Sequence, residues 1–378
     1  MSVTKIRFAK RESERFVEEV KAGVAAYFEA TGLSQKADGR MVLKTVVLLA
    51  TTIGAYALIL SNRFTPWQML GLAVVMGIGM AGIGFSIAHD ALHGAYSANP
   101  RVNRLLGYTF DLVGANGYMW KITHNVIHHT YTNIHGVDED LTVSPLLRLS
   151  PGAPRKWFHR WQHLYGWLAY SLATINWIFV KDYQQFLKRD LGPYKDKKHP
   201  RSEVFHLVWT KLFAYTYSIV VPLLVLDVAW WQFLVGFLAM HLTAGVILGV
   251  IFQLAHVVEG TEYPLPDENG RMEHVWLIHE METTADFAQG NRWLSWYIGG
   301  LNYQIEHHLF PQVCSIHYPA IAGIVRAAAE RNGVPYNCHP TLRAAIRSHY
   351  TMLKQLGQPP LEPAAAQPGW AAGTGSAG

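Results

Sequence analysis

Apolar residues in this chain gather into long runs, and the charged residues gather between them. The first run covers about 42–61, starting at Met41 and carrying a single Lys44 near its start. The second covers about 65–88 and opens with Pro66 and Trp67. Each is close to the ~20 residues that an α-helix needs to cross a bilayer. Only Ser61 to Thr65 separate them, so they form a tight helical hairpin. A second hairpin has arms at about 204–227 and 230–255, joined by Asp227, Val228 and Ala229. Trp67, Trp230 and Trp231 fall at the two turns, where an aromatic interface belt is expected. Two hairpins buried in a large soluble protein are the competing reading, and the run lengths favour spans.

A fifth apolar stretch, 164–180, is judged by parity. His89 and His93 follow the second span, and His256 follows the last. A crossing at 164–180 would put His256 on the opposite face from His89. The stretch is therefore expected in the interface or packed on the cytosolic cap. Upstream, an amphipathic helix is expected at about 11–30, ending near Thr31 and Gly32, within a cytosolic N-terminal region 1–40. A membrane-embedded domain then covers 41–358. The Pro, Ala and Gly-rich tail 359–378 is expected to be disordered. The expected fold is all-α: four spans in two transmembrane hairpins, with a cytosolic helical cap.

Charge refines this picture. The net charge is +5 over 378 residues, but Lys and Arg form no stripe with interleaved aromatics, so no nucleic-acid partner is expected. The short turns on one side hold little beyond Arg63 and Asp227. The other side carries Lys5, Arg7, Lys10, Arg11, Lys21, Lys36, Arg40 and the run Lys195, Lys197, Lys198, Arg201. The positive-inside rule then predicts a multi-pass protein with both termini and the cap in the cytoplasm. The N-terminus has no h-region, so no cleaved signal peptide is expected. Two cysteines exclude a disulfide framework or a cysteine-rich metal site.

Histidine is the anomaly. The chain has 19, and eight stand in four places: His89 and His93; His124, His128 and His129; His256; His307 and His308. Spacing of i, i+4 puts His89 with His93, and His124 with His128, on one helical face, with His129 about a third of a turn round. A lone interfacial histidine is usually structural. Pairs and triples at one membrane face point to metal. Eight imidazoles exceed the three or four ligands of one zinc and suit two metals. Imidazole accommodates iron, zinc, copper and nickel, so spacing leaves the metal open. Asp90, Asp138, Glu139, Asp140 and Glu306 lie near the clusters and are expected mainly to accept the second ring N–H of ligating histidines. A solvated acidic loop is the competing reading for 138–140. Gly77, Gly79 and Gly82 mimic a dinucleotide motif but sit inside an apolar run. Like Gly245 and Gly249, they are expected to mark close helix contacts. His241 is expected to be structural. Among the unassigned histidines, His279, ahead of the last cluster, is the one to watch.

HDALH, HNVIHH and QIEHHLFP resemble the three histidine boxes of the integral-membrane fatty acid desaturase family. The stretch GGLNYQIEHHLFP, Gly299 to Pro311, is the most specific. It resembles the front-end branch, which has Gln in place of the first histidine of the third box. The similarity runs from about residue 40 to 330. It implies a non-haem di-iron centre of two Fe, dioxygen as co-substrate and two electrons from an external donor. It further implies ligation by His89, His93, His124, His128, His129, His307 and His308, with His256 as the family's additional histidine. Gln304 is a poorer ligand than imidazole, binding weakly or orienting a water. The fused cytochrome domain of many relatives, with its HPGG motif, is missing, so the resemblance implies a separate ferredoxin or cytochrome-type donor. The substrate implied is a fatty acyl chain on CoA or a glycerolipid, reached from the bilayer. Arg101, Arg104 and Lys121 are candidate headgroup contacts. A hydroxylase shares the scaffold and is the enzyme alternative. A membrane metal transporter is the non-enzyme alternative, but it would place ionisable groups at the bilayer midplane, whereas these clusters collect at one face.

Overall fold

The computed structural model describes residues 6–9, 14–141 and 145–359. Lys5, Lys10, Arg11 and, beyond Pro359, the Pro/Ala/Gly-rich tail lie outside the described residues. Among the described residues, this membrane protein is all-helical with one small exception. Strands β1 (Ala285–Phe287) and β2 (Asn337–His339) pair in parallel, Ala285 opposite Asn337.

Among the described residues, four helices are long and apolar enough to cross a membrane: Gly39–Leu60, Pro66–Leu92, Arg201–Val225 and Trp230–His256. Local chemistry sets where the first two begin. Asp38 caps the first span, its carboxylate accepting from the Arg40 N–H at 2.8 Å. Thr65 and Gln68 form a capping box ahead of the second, with Pro66 at its first turn. The turns of the two hairpins meet. Asn62, at φ 55°, donates from Nδ2 to the Val225 carbonyl at 2.7 Å and accepts from the Asp227 N–H at 3.0 Å. Both turns therefore lie at one end of the bundle. His89 and His256 lie at the other.

The expected close contacts at glycine are present. A Cβ on Gly77 would run into the Met240 carbonyl of the fourth span, and one on Gly79 into the Thr52 hydroxyl of the first. Without side chains there, the first and fourth spans close onto the second. Outward faces stay apolar and exposed, as at Leu43, Val46, Phe205, Trp209 and Leu224. That is the surface lipid requires.

The stretch 164–180 meets the cap at helix Leu342–Leu356, where the Tyr170 hydroxyl lies 3.0 Å from His349 Nε2. It packs beside the fourth span, because Gly245 and Gly249 leave room for the Ser171 carbonyl and the Tyr170 side chain. Thr174 bonds to His241 there.

The amphipathic helix forms at Glu14–Thr31 and buries Phe16, Val20, Val24 and Phe28, an i, i+4 stripe. The stripe packs on helix Tyr318–Asn332, which follows the last histidine pair.

Candidate metal centre

Local widening of two helices and a pair of left-handed glycines bring the histidines together. The second span does not run as a plain α-helix to its end. Residues Gly84–Ala88 form a π turn, and His89 and His93 follow it. The second cluster lies on a π-helical segment, Lys121–His128, capped upstream by the Asn116 side chain. Hydrogen bonding from i to i+5 widens the turn, so residues five apart approach one face as those four apart do. That corrects the expectation that His129 points a third of a turn away. The His124 ring is 4.9 Å from both His128 and His129. His307 and His308 sit on the short helix Gln304–Leu309. Gly299 and Gly300 deliver that helix. Both are left-handed, at φ 64° and 69°, and a Cβ on Gly299 would collide with the Phe85 carbonyl. Only glycine lets this loop close on the π turn before His89.

Two groups of ring nitrogens result. His89, His93, His124 and His307 offer ligand atoms within 4.8 Å of one another, and so do His128, His256 and His308. His129 lies between them, its ring centroid 4.7 Å from His93, 4.6 Å from His307 and 4.3 Å from His308. Seven of the eight are buried, and His93 is half-buried.

The outer nitrogens are held. His128 Nδ1 donates to Asp138 at 3.0 Å, and His124 Nδ1 to Asp140 at 3.1 Å. His308 Nδ1 donates to Glu280 at 2.7 Å, and Glu280 also accepts from the Thr132 hydroxyl at 2.8 Å. His256 Nδ1 donates to the Thr283 carbonyl at 3.3 Å, and the Tyr318 hydroxyl lies 3.1 Å from His307 Nδ1. The inner Nε2 atoms of His93, His124, His128, His129, His256, His307 and His308 are buried with no hydrogen-bond partner among the described residues. An unsatisfied buried polar atom costs about 1–3 kcal/mol. Six of these seven belong to histidines of the two groups and the seventh to His129, a set that fits a pair of metal ions, which accept those lone pairs.

Electrostatics agree with neutral imidazole donors. Burial, followed by neighbouring histidines, holds His93, His124, His129, His307 and His308 well below the usual histidine range. Burial lowers His128 too, but the Asp138 carboxylate outweighs it and the net shift is upward. Two aromatic rings wall the site. Trp120 stacks on His124 at 4.3 Å, and Phe252 lies 5.3 Å from both His128 and His256.

The remaining candidates fall elsewhere. Asp90 Oδ1 is 3.8 Å from His89 Nδ1, beyond hydrogen-bond reach, while Oδ2 accepts from Cys314 and from both the N–H and hydroxyl of Ser315. Asp90 thus ties the first cluster to the segment after the last. Glu306 accepts from the Tyr336 hydroxyl at 2.9 Å and faces Asp286. Burial and then the Asp286 charge push its carboxyl well above the ordinary range. Neither carboxylate touches a clustered ring. Gln304 is buried, its Oε1 without a partner among the described residues. His279 lies outside both groups, its ring against Phe8 at 5.2 Å. Glu280, Thr283 and Tyr318 had no signal in sequence. Arg101, Arg104 and Lys121 are exposed.

Comparison with known proteins adds a second line. The fatty acid desaturase family model matches residues 65–340. An sn-1 linoleoyl-lipid 6-desaturase of Arthrospira platensis is 36% identical over 94% of this chain and 95% of its own. One of the same description from Synechocystis is 36% identical over 95% and 99%. An acyl-lipid (8-3)-desaturase of Physcomitrium patens is 34% identical over 93% of this chain and 74% of its own.

Proposed function

Since the chain belongs to the fatty acid desaturase family, and is an oxygen-dependent oxidoreductase of that kind, we propose that its two histidine groups hold a non-haem di-iron centre that desaturates an acyl chain of a membrane glycerolipid. The carrying observation is the set of seven buried Nε2 atoms without a partner among the described residues, six on histidines of the two groups and one on His129. His89, His93, His124 and His307 would hold one iron, and His128, His256 and His308 the other, with His129 between them. When bound, the iron pair supplies activation of dioxygen with two external electrons. The balance is closed: the acyl chain loses two hydrogens, dioxygen takes them with two electrons and two protons, and two waters leave.

The chain's own residues do the rest. Asp138, Asp140, Glu280 and the Thr283 carbonyl fix the tautomer in which Nδ1 carries the proton and Nε2 faces inward. Trp120 and Phe252 place apolar surface against the rings, which excludes water and gives a methylene chain a surface to lie on. The relatives' names support a lipid-linked substrate desaturated on the carboxyl side of existing double bonds. The pairing of both hairpin turns at one end, with Arg63 and Asp227, supports a cytoplasmic orientation for the histidine end. Electrons then come from a cytoplasmic ferredoxin or cytochrome-type donor.

Expression in a host without polyunsaturated lipids, followed by fatty acid profiling with double-bond location, tests this reading. A new species two hydrogens lighter is expected on lipid-linked chains. A product heavier by one oxygen would instead make the chain a hydroxylase.

A further inference from the structure

The segment beside the fourth span carries more than a packing detail. It starts at the histidine end. Gln162 donates from Nε2 to the Arg148 and Leu353 carbonyls at 3.0 and 2.8 Å, and Tyr165 donates to the Leu146 carbonyl. It then runs down the fourth span past Gly249 and Gly245. At its deepest, the Thr174 hydroxyl donates to the His241 carbonyl at 2.9 Å and lies 3.1 Å from His241 Nδ1. His241 is fifteen residues before His256, about 22 Å along the helix at ~1.5 Å per residue. The chain bends at Leu172 and turns back. Lys211 of the third span holds the Trp177 carbonyl at 3.0 Å and Asp182 at 2.6 Å, and Phe179 stacks on Tyr215 at 5.6 Å. By Lys188 the chain is again at the histidine end, where Lys181 meets Asp140 and Lys188 meets Glu139.

We propose that residues 157–187 form a re-entrant membrane element that enters the bilayer from the histidine face and leaves by the same face. On this reading its outer side is covered by lipid acyl chains. Length decides against crossing. The descending arm, Gln162–Ser171, has 10 residues, about 15 Å. The hydrocarbon core is ~30 Å thick. The outer side suits lipid and little else. Leu164 and Leu168 are 60% and 64% exposed, Leu172, Phe179 and Val180 are also exposed, and this surface continues the lipid-facing side of the spans. The ends suit an interface: Trp157 and Trp161 with Arg160 stacked at 3.7 Å on one side, Lys188 and Arg189 on the other. The bend remains satisfied, as hydrocarbon demands. The Leu172 N–H donates to Ala169, and the Leu172 carbonyl accepts from Asn176 at 2.8 Å. The inner side of the returning arm reaches the candidate centre through aromatics. Trp177 lies 5.7 Å from Phe110, Phe110 lies 5.3 Å from Trp120, and Trp120 stacks on His124. The element is thus the wall between bilayer and histidines.

The test is cysteine labelling of the full chain in sealed vesicles with a membrane-impermeant maleimide, in a C338S background. Controls are K195C on the histidine side and R63C at the turns. L164C and L168C are expected to react from neither side, then to react fully once detergent removes the bilayer. Reaction from the histidine side without detergent would make the segment a surface helix and overturn the proposal. Reaction of L172C from the turn side would make it a crossing helix, with the same consequence. Silence of both leucine positions even in detergent would mean that protein, not lipid, covers this face. None of these outcomes depends on the enzyme being active, so they stand apart from any failure of the desaturase reading.

Discussion

The two histidine groups are built differently. In the group of His128, His256 and His308, every ring is tied from behind, by Asp138, the Thr283 carbonyl and Glu280. In the group of His89, His93, His124 and His307, His124 has Asp140 and His307 has Tyr318, but among the described residues neither His89 nor His93 has a hydrogen-bonded carboxylate. That pair is positioned by backbone instead: by the π turn before it, by the Gly299 loop pressed on that turn, and by the Asp90 tether to Ser315. In one group every ring has a hydrogen bond behind it; in the other, His89 and His93 rest on main chain packed against main chain. Variants should separate the two.

The largest effect is expected where the groups meet. His129→Ala removes the ring between them and should abolish product and lower bound iron in both groups. Retention of full iron content with only lost turnover would show that this ring is not a ligand. Next come the carboxylates. Glu280→Gln leaves His308 without its acceptor, and such supports are typically worth 10–100-fold in metal affinity or activity. A loss of that size is expected in iron affinity. Asp90→Asn should behave oppositely, lowering the melting temperature while leaving iron affinity near that of the parent, because Asp90 bonds to Ser315 and not to a ring. If D90N and E280Q change iron affinity equally, the contrast between the groups fails. Gly299→Ala is expected to cost about 1–3 kcal/mol, since a left-handed non-glycine residue is strained and its Cβ meets the Phe85 carbonyl. Its unfolding midpoint in denaturant reads that cost directly. Smallest is Tyr318→Phe, which removes one hydrogen bond behind His307, about 0.5–1.5 kcal/mol, and should shift iron affinity about tenfold or less.

The contrast also explains what could be read from sequence. The eight histidines were legible because seven of them come in pairs and a triple, while His89 and His256 also close apolar runs. The spans were legible from run length, and the close contacts at Gly77, Gly79, Gly245 and Gly249 from their place inside those runs. The supporting carboxylates were only partly legible. Adjacency misled at Asp90 and Glu306: neighbours on a helix are rotated about 100° apart, so a carboxylate beside a ligand faces away from its ring. Asp138 and Asp140 reach back from a loop 10 and 16 residues later. Glu280 comes from a separate helix, with no spacing to connect it to His308. The π turns left no mark in the pattern, since widening by one residue changes which histidines share a face without changing the sequence signal. For 164–180, hydropathy gave the segment but not its depth, which depends on two glycines some 80 residues away.

Metal content of the intact purified protein tests the central claim most directly. Anaerobically isolated chain should carry two irons, with Mössbauer or magnetic signatures of a coupled pair, and His256→Ala should retain only one. A single zinc with no iron, or two irons undisturbed by loss of His256, would contradict the assignment of the two histidine groups.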